Sequence, residues 1–120
     1  MSTVKDFHDL NIWKESRVLV KDVYELLKKF PSSEKYALSD QIRRAIVSVP
    51  SNIAEGFDRG SNKEIKQFLM VARGSLAEVY TQVTLAYDLE YINKPDFEKI
   101  EQNIIKIRKM INAFIRHLTI

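Results

Sequence analysis

The sequence predicts an all-α protein, an antiparallel up-and-down four-helix bundle formed as one domain over residues 1–120. Three observations carry that expectation. Apolar residues recur at helical spacing over long stretches, and no stretch alternates in the manner of a strand. The three glycines and three prolines fall mostly where those helical patterns break. The 45% apolar and 29% charged composition is that of a chain that folds, and 120 residues suffice for one core with little left to wall off a deep cavity.

The first helix is expected from about Leu10 to Lys29. Asp9 or Asn11 would cap it, and Phe30-Pro31 would end it because the residue before proline is pushed out of the helical region. Leu10, Trp13, Val20, Tyr24 and Leu27 make one apolar stripe on it, and Ile12, Leu19, Val23, Leu26 and Phe30 make a second beside the first. The second helix should begin between Ala37 and Ser39 and close at Gly56, with a kink near Ile46 to Ser48 caused by Pro50. The third opens on Ser61-Asn-Lys-Glu64, a capping box whose serine and glutamate satisfy each other's free amides. Its apolar face runs from Ile65 through Leu76 and Val83 to about Tyr91. Pro95, Asp96 and Glu98 suit the first turn of the last helix, on which Ile100, Ile104, Ile107 and Ile111 repeat in alternating fours and threes. That spacing favours near-parallel packing of neighbouring helices.

Several chemistries find no support. A chain without cysteine has no disulfide framework, thiolate metal site or cysteine nucleophile, and it suits a reducing cytoplasm. No apolar run exceeds Phe68 to Ala72, and Met1 to Asp6 holds no apolar signal core. His8 and His117 form no metal-ligand spacing, and Gly56, Gly60 and Gly74 form no phosphate loop. We expect no metal, no cofactor and no membrane partner.

Two groups of polar residues call for explanation. Arg44, Ser48, Asn52 and Glu55 share one edge of the second helix, and Arg73, Ser75 and Glu78 lie mid-way along the third beside Gly74. Asn52, Glu55, Ser75 and Glu78 could form an active site with paired carboxylates. A network that fixes helix register explains the same residues without a nucleophile or metal, and is the reading adopted. On the last helix Lys99, Lys106, Lys109 and Arg116 fall nearly opposite the isoleucine stripe. Residues 94–120 hold six basic and three acidic side chains, which accounts for the net charge of +3. Repeated around an assembly, that face would make a basic belt for RNA or DNA. The second apolar stripe on the first helix, extra to what one bundle should consume, together with Val71, Leu85 and Leu89 on the third, points to a homo-oligomer.

The runs Gln41-Ile-Arg-Arg-Ala45, Ser48-Val-Pro-Ser-Asn-Ile-Ala-Glu-Gly56 and Ala72-Arg-Gly-Ser-Leu76 with Glu78 resemble the four-helix-bundle proteins encoded within intervening sequences of bacterial 23S ribosomal RNA genes. Phe7-His-Asp-Leu10 with Trp13, and Phe30-Pro31 with Glu34 and Leu38, extend the likeness to about residues 7–118. The resemblance implies an antiparallel bundle that assembles into a ring, a homopentamer, without catalytic activity. A related bundle, the accessory protein of diversity-generating retroelements, associates with nucleic acid and a reverse transcriptase, but this sequence is closer to the intervening-sequence branch. A protein-interaction module with no nucleic-acid role is the competing expectation.

Overall fold

The computed structural model describes residues 6–119, so the opening segment in which no signal core was found lies outside the described residues. Among the described residues there are four α-helices and no strand: α1 (Asn11–Leu27), α2 (Leu38–Arg59), α3 (Asn62–Asp88) and α4 (Lys94–His117), with short 3-10 turns at Phe7–Asp9 and Ser32–Glu34. Each helix packs on two neighbours. α1 touches α2 and α4, α3 touches the same two, and the diagonal pairs do not meet. The molecule measures 46 × 25 × 20 Å, its long dimension set by α3. No helix among the described residues is long and apolar enough to cross a membrane.

The core is a continuous aliphatic column. Leu19 and Val23 from α1, Ile42, Ile46, Val49 and Ile53 from α2, Leu69, Leu76, Val79 and Val83 from α3, and Ile107 and Ile111 from α4 are all but sealed from water. Each such side chain contributes about 1.5–3 kcal/mol by burial. On α1 the structure corrects the expected division of labour. The second stripe, Ile12, Leu19, Val23, Leu26 and Phe30, is the buried one, while Trp13 and Val20 are half-buried and Tyr24 is exposed. The reason is positional: α2 and α4 flank the second stripe, so it has no apolar surface left for a partner molecule.

The helix ends also differ from expectation in informative ways. Leu10, not Asp9 or Asn11, holds the cap position of α1 and supplies no side-chain bond, the turn being closed by the 3-10 segment before it. α2 runs through Gly56 and ends at Gly60, whose φ of +86° is the left-handed conformation that glycine tolerates. Gly56 is instead a contact residue. A Cβ there would lie 2.5 Å from the Cβ of Phe68, so its bare backbone lets α2 and α3 approach closely. Pro50 sits inside α2, which continues past it. At the start of α3 the Ser61 hydroxyl accepts from the Glu64 amide at 3.2 Å and donates to the Glu64 carboxylate at 3.0 Å, the serine half of the expected capping box.

α3 ends at Asp88, earlier than the apolar pattern suggested, because Glu90 turns to φ +63°. The Tyr91 amide then reaches the Ala86 carbonyl and the Glu90 amide the Tyr87 carbonyl, a Schellman closure built without glycine. α4 begins one residue before Pro95, and its cap is Asn93, whose side chain accepts from the Asp96 amide at 2.9 Å.

Candidate nucleic-acid interface

The polar residues of α2 and α3 divide into one true junction and several local pairs. Ser48 Oγ and Ser75 Oγ share a hydrogen bond of 2.6 Å across the two helices. Asn52 donates through Nδ2 to the Ser48 carbonyl at 2.8 Å and to its hydroxyl at 3.1 Å. These three short side chains replace bulk between α2 and α3 while satisfying one another's polar atoms. Arg44, Glu55 and Glu78 do not join them. Arg44 pairs with Asp40 at 3.1 Å, and Glu55 accepts from Arg59 at 2.8 Å. Glu78 receives only a long 3.5 Å contact from the amide of Gln82. Arg73 leaves the seam altogether and donates to Asn112 of α4 at 2.8 Å.

The arrangement offers little for acid–base chemistry. Glu55 and Glu78 occupy separate local pairs, and neither Ser48 nor Ser75 bonds a histidine, lysine or carboxylate that would remove its proton. Gln82, which no sequence pattern singled out, is buried beside this seam with its Oε1 unpartnered. Gly74 is no close-contact site, because a Cβ there would meet nothing within 4 Å among the described residues. His8 pairs with Asp6 at 2.7 Å and stacks on Phe7, while His117 is exposed at the far end of α4. No cluster of metal-ligating side chains occurs among the described residues.

Lys99, Lys106, Lys109 and Arg116 all reach solvent along α4. They are not equivalent. Lys106 is tied to Glu15 of α1 at 2.6 Å, and Lys99 lines a shallow cleft whose other walls include Asp22, Glu25 and Asp96. Lys99, Lys109 and Arg116 form no ion pair among the described residues. The carboxylates of α1 that border α4 therefore mute the basic face at its upper half and leave it open toward Lys109 and Arg116. Elsewhere, hydrogen bonds to carboxylates shift two tyrosines: Glu101 raises the pKa of Tyr80 and Glu34 that of Tyr91. The bond from Tyr91 to Glu34, 2.7 Å long, ties the α3–α4 turn to the segment before α2.

A line of cations on α1 escaped the sequence expectations. Lys14, Arg17, Lys21 and Lys28 lie along the outer face of that helix, and beside them runs an open groove lined by Tyr24, Asp40, Arg43, Arg44 and Val47. The spacing of the four cations was visible in the sequence, but the two apolar stripes of the same helix obscured it.

The family model for 23S rRNA-intervening sequence proteins matches residues 8–113. The chain belongs to this family. A crystal structure of a Bacteroides thetaiotaomicron protein of unknown function, from the S23 ribosomal protein family, is similar in fold with a TM-score of 0.80. It is 24% identical, and the match covers 87% of the present chain and 97% of the other. No curated protein matches this sequence. For this 23S rRNA-intervening sequence protein, the likeness to the solved structure speaks to fold alone.

Proposed function

We propose that the protein is a non-catalytic, self-associating antiparallel bundle of the cytoplasm that binds RNA or DNA through exposed cations, with little sequence preference. The observation that carries the binding is the open end of the α4 row, Lys109 and Arg116, which are exposed and form no ion pair among the described residues, with Lys99 further along at the acidic cleft. Phosphate contacts from such a row release counterions and need no base readout. The antiparallel arrangement is supported by contacts that run in opposite order along paired helices. Lys29 near the end of α1 pairs with Asp96 at the start of α4, and Glu15 near the start of α1 pairs with Lys106 further along α4.

Self-association is supported by Val71, Leu85 and Leu89, which stand 47–54% exposed on one side of α3. A closed ring, the homopentamer that the family resemblance implies, would repeat the basic face around its rim. Among the described residues neither seam serine is hydrogen-bonded to the Glu78 that shares a cleft with Ser48, which supports the non-catalytic part of the proposal.

The test is a gel-shift titration against structured RNA, single-stranded RNA and DNA. Lys109→Glu with Arg116→Glu should weaken binding to all three while leaving helicity and assembly mass unchanged. Lys106 is a poor choice for this variant, because a glutamate there would face Glu15 and disturb the α1–α4 contact. The same exposed α3 side chains favour a second reading, a protein-interaction module. Absence of binding to every nucleic acid at low salt, with assembly intact, would overturn the nucleic-acid reading and leave that one standing.

A further inference from the structure

Resting on the nucleic-acid reading, we propose that the α1–α2 face is a track for single-stranded nucleic acid, with phosphates along α1 and bases on the tyrosines beside it. The first observation is a segregation of charge around α1. Its acidic residues Glu15 and Asp22 turn toward α4, where Lys106 meets Glu15 at 2.6 Å and the Asn103 amide reaches Asp22 at 3.5 Å. What remains outward is Lys14, Arg17, Lys21 and Lys28, opposed on α1 by Glu25, which Lys28 holds at 3.1 Å, and in the groove by Asp40, which Arg44 holds at 3.1 Å. The line from Lys14 to Lys28 spans about 21 Å, the reach of several nucleotides.

The second observation is that aromatic rings accompany these cations. Tyr24 is 41% exposed at the edge of the α1–α2 groove, next to Arg43, whose guanidinium is fixed by the Lys35 carbonyl at 2.9 Å. Tyr36 follows the Lys35 whose carbonyl holds Arg43, and is 86% exposed with the Lys35 ammonium 5.4 Å from its ring centre. An aromatic ring left this open in water is a surface on which an unstacked base gains contact, and the adjacent ammonium serves the phosphate of the same nucleotide.

The geometry separates single strands from duplexes. Neighbouring helices lie about 8–10 Å apart, so the groove between α1 and α2 admits a splayed base but not a double helix. A duplex could touch only the cationic ridge. On the α4 side the exposed ring, Tyr80 at 37%, is held through its hydroxyl by Glu101 at 2.7 Å, so a carboxylate stands at its edge, and Lys106 is already paired. The apolar line on α3 lies diagonally across the bundle from α1, so the two faces are separate surfaces of one chain.

Fluorescence anisotropy with a labelled 20-nucleotide uridine RNA and with an RNA duplex of equal length tests the assignment on the full chain. Tyr24→Ala and Tyr36→Ala should each lower single-strand affinity about fivefold or more and leave duplex affinity within about twofold. Arg17→Glu with Lys21→Glu should weaken both ligands, the single strand by at least about tenfold. Tyr24→Phe, which keeps the ring, should restore single-strand binding, and circular dichroism should show all variants folded. Wild-type affinity in the tyrosine and α1 charge variants, with loss in Lys109→Glu/Arg116→Glu, would overturn the track and leave the α4 reading standing. Equal loss of single strand and duplex in the tyrosine variants would also overturn it. No binding by the wild-type protein would overturn both.

Discussion

Replacing Gly56 with alanine tests the close α2–α3 approach. The new methyl would sit 2.5 Å from Phe68 Cβ, 3.3 Å from Phe68 Cγ and 3.5 Å from the Ile65 Cα. Relief by rotation is not available, since a Cβ is fixed to its own backbone, so the helices must separate by about 1 Å to restore a normal carbon contact. That shift would also loosen the 2.6 Å Ser48–Ser75 bond two helical turns away. Overpacking of this type costs about 2–3 kcal/mol, and alanine returns about 1 kcal/mol of helix propensity. A net loss of about 1–2 kcal/mol should lower the melting temperature by about 5–10 °C. Gly74→Ala is the control: nothing lies within 4 Å of its added methyl, so the same propensity gain of about 1 kcal/mol should appear uncancelled. Urea unfolding at several protein concentrations separates helix stability from assembly. Shifts of the same sign in the two variants would refute the close-approach argument.

Asn52→Ala removes both bonds to Ser48 and should cost about 1–2 kcal/mol in urea, whereas Glu55→Ala loses only an exposed pair with Arg59 and should stay within about 0.5 kcal/mol. Glu90→Gly should stabilise by about 1 kcal/mol, because φ +63° strains any side chain but suits glycine; a lower denaturation midpoint would contradict this. The Tyr91 pKa is raised by its hydrogen bond to Glu34, so the stability from that bond is present below the unfolded tyrosine value near 10 and is lost as pH rises through the higher folded value. Tyr91→Phe should flatten that alkaline loss in melting curves recorded from pH 8 to 11. Val71→Asp with Leu85→Asp should reduce the mass seen by light scattering to that of one chain without loss of helicity, and an unchanged mass would remove α3 from the assembly proposal.

The helices were legible because their signals are local. Ser61 and Glu64 lie within one turn, and the isoleucines of α4 carry their spacing in the chain itself. The seam was half legible: the register network expected of these residues holds for Ser48, Asn52 and Ser75, but Glu55 and Glu78, grouped with them by sequence position, bond within their own helices to Arg59 and Gln82. Which stripe of α1 would be buried depended on where α2 and α4 lie, a tertiary fact that periodicity does not contain. The same holds for the charges. Lys106 looked free on its own helix, and only packing brought Glu15 to it and left the outer face of α1 cationic. Glu90 gave no warning of its left-handed turn, because nothing in a glutamate announces positive φ.

Binding of single-stranded RNA by the intact wild-type protein, followed by anisotropy from about 50 to 300 mM salt, tests the central claim most directly. The account predicts measurable binding at low salt and a linear fall of log affinity with log salt, with a slope of about −2 to −3.5 for three to five phosphate contacts. No binding at about 50 mM salt, or an affinity that does not change with salt, would contradict it.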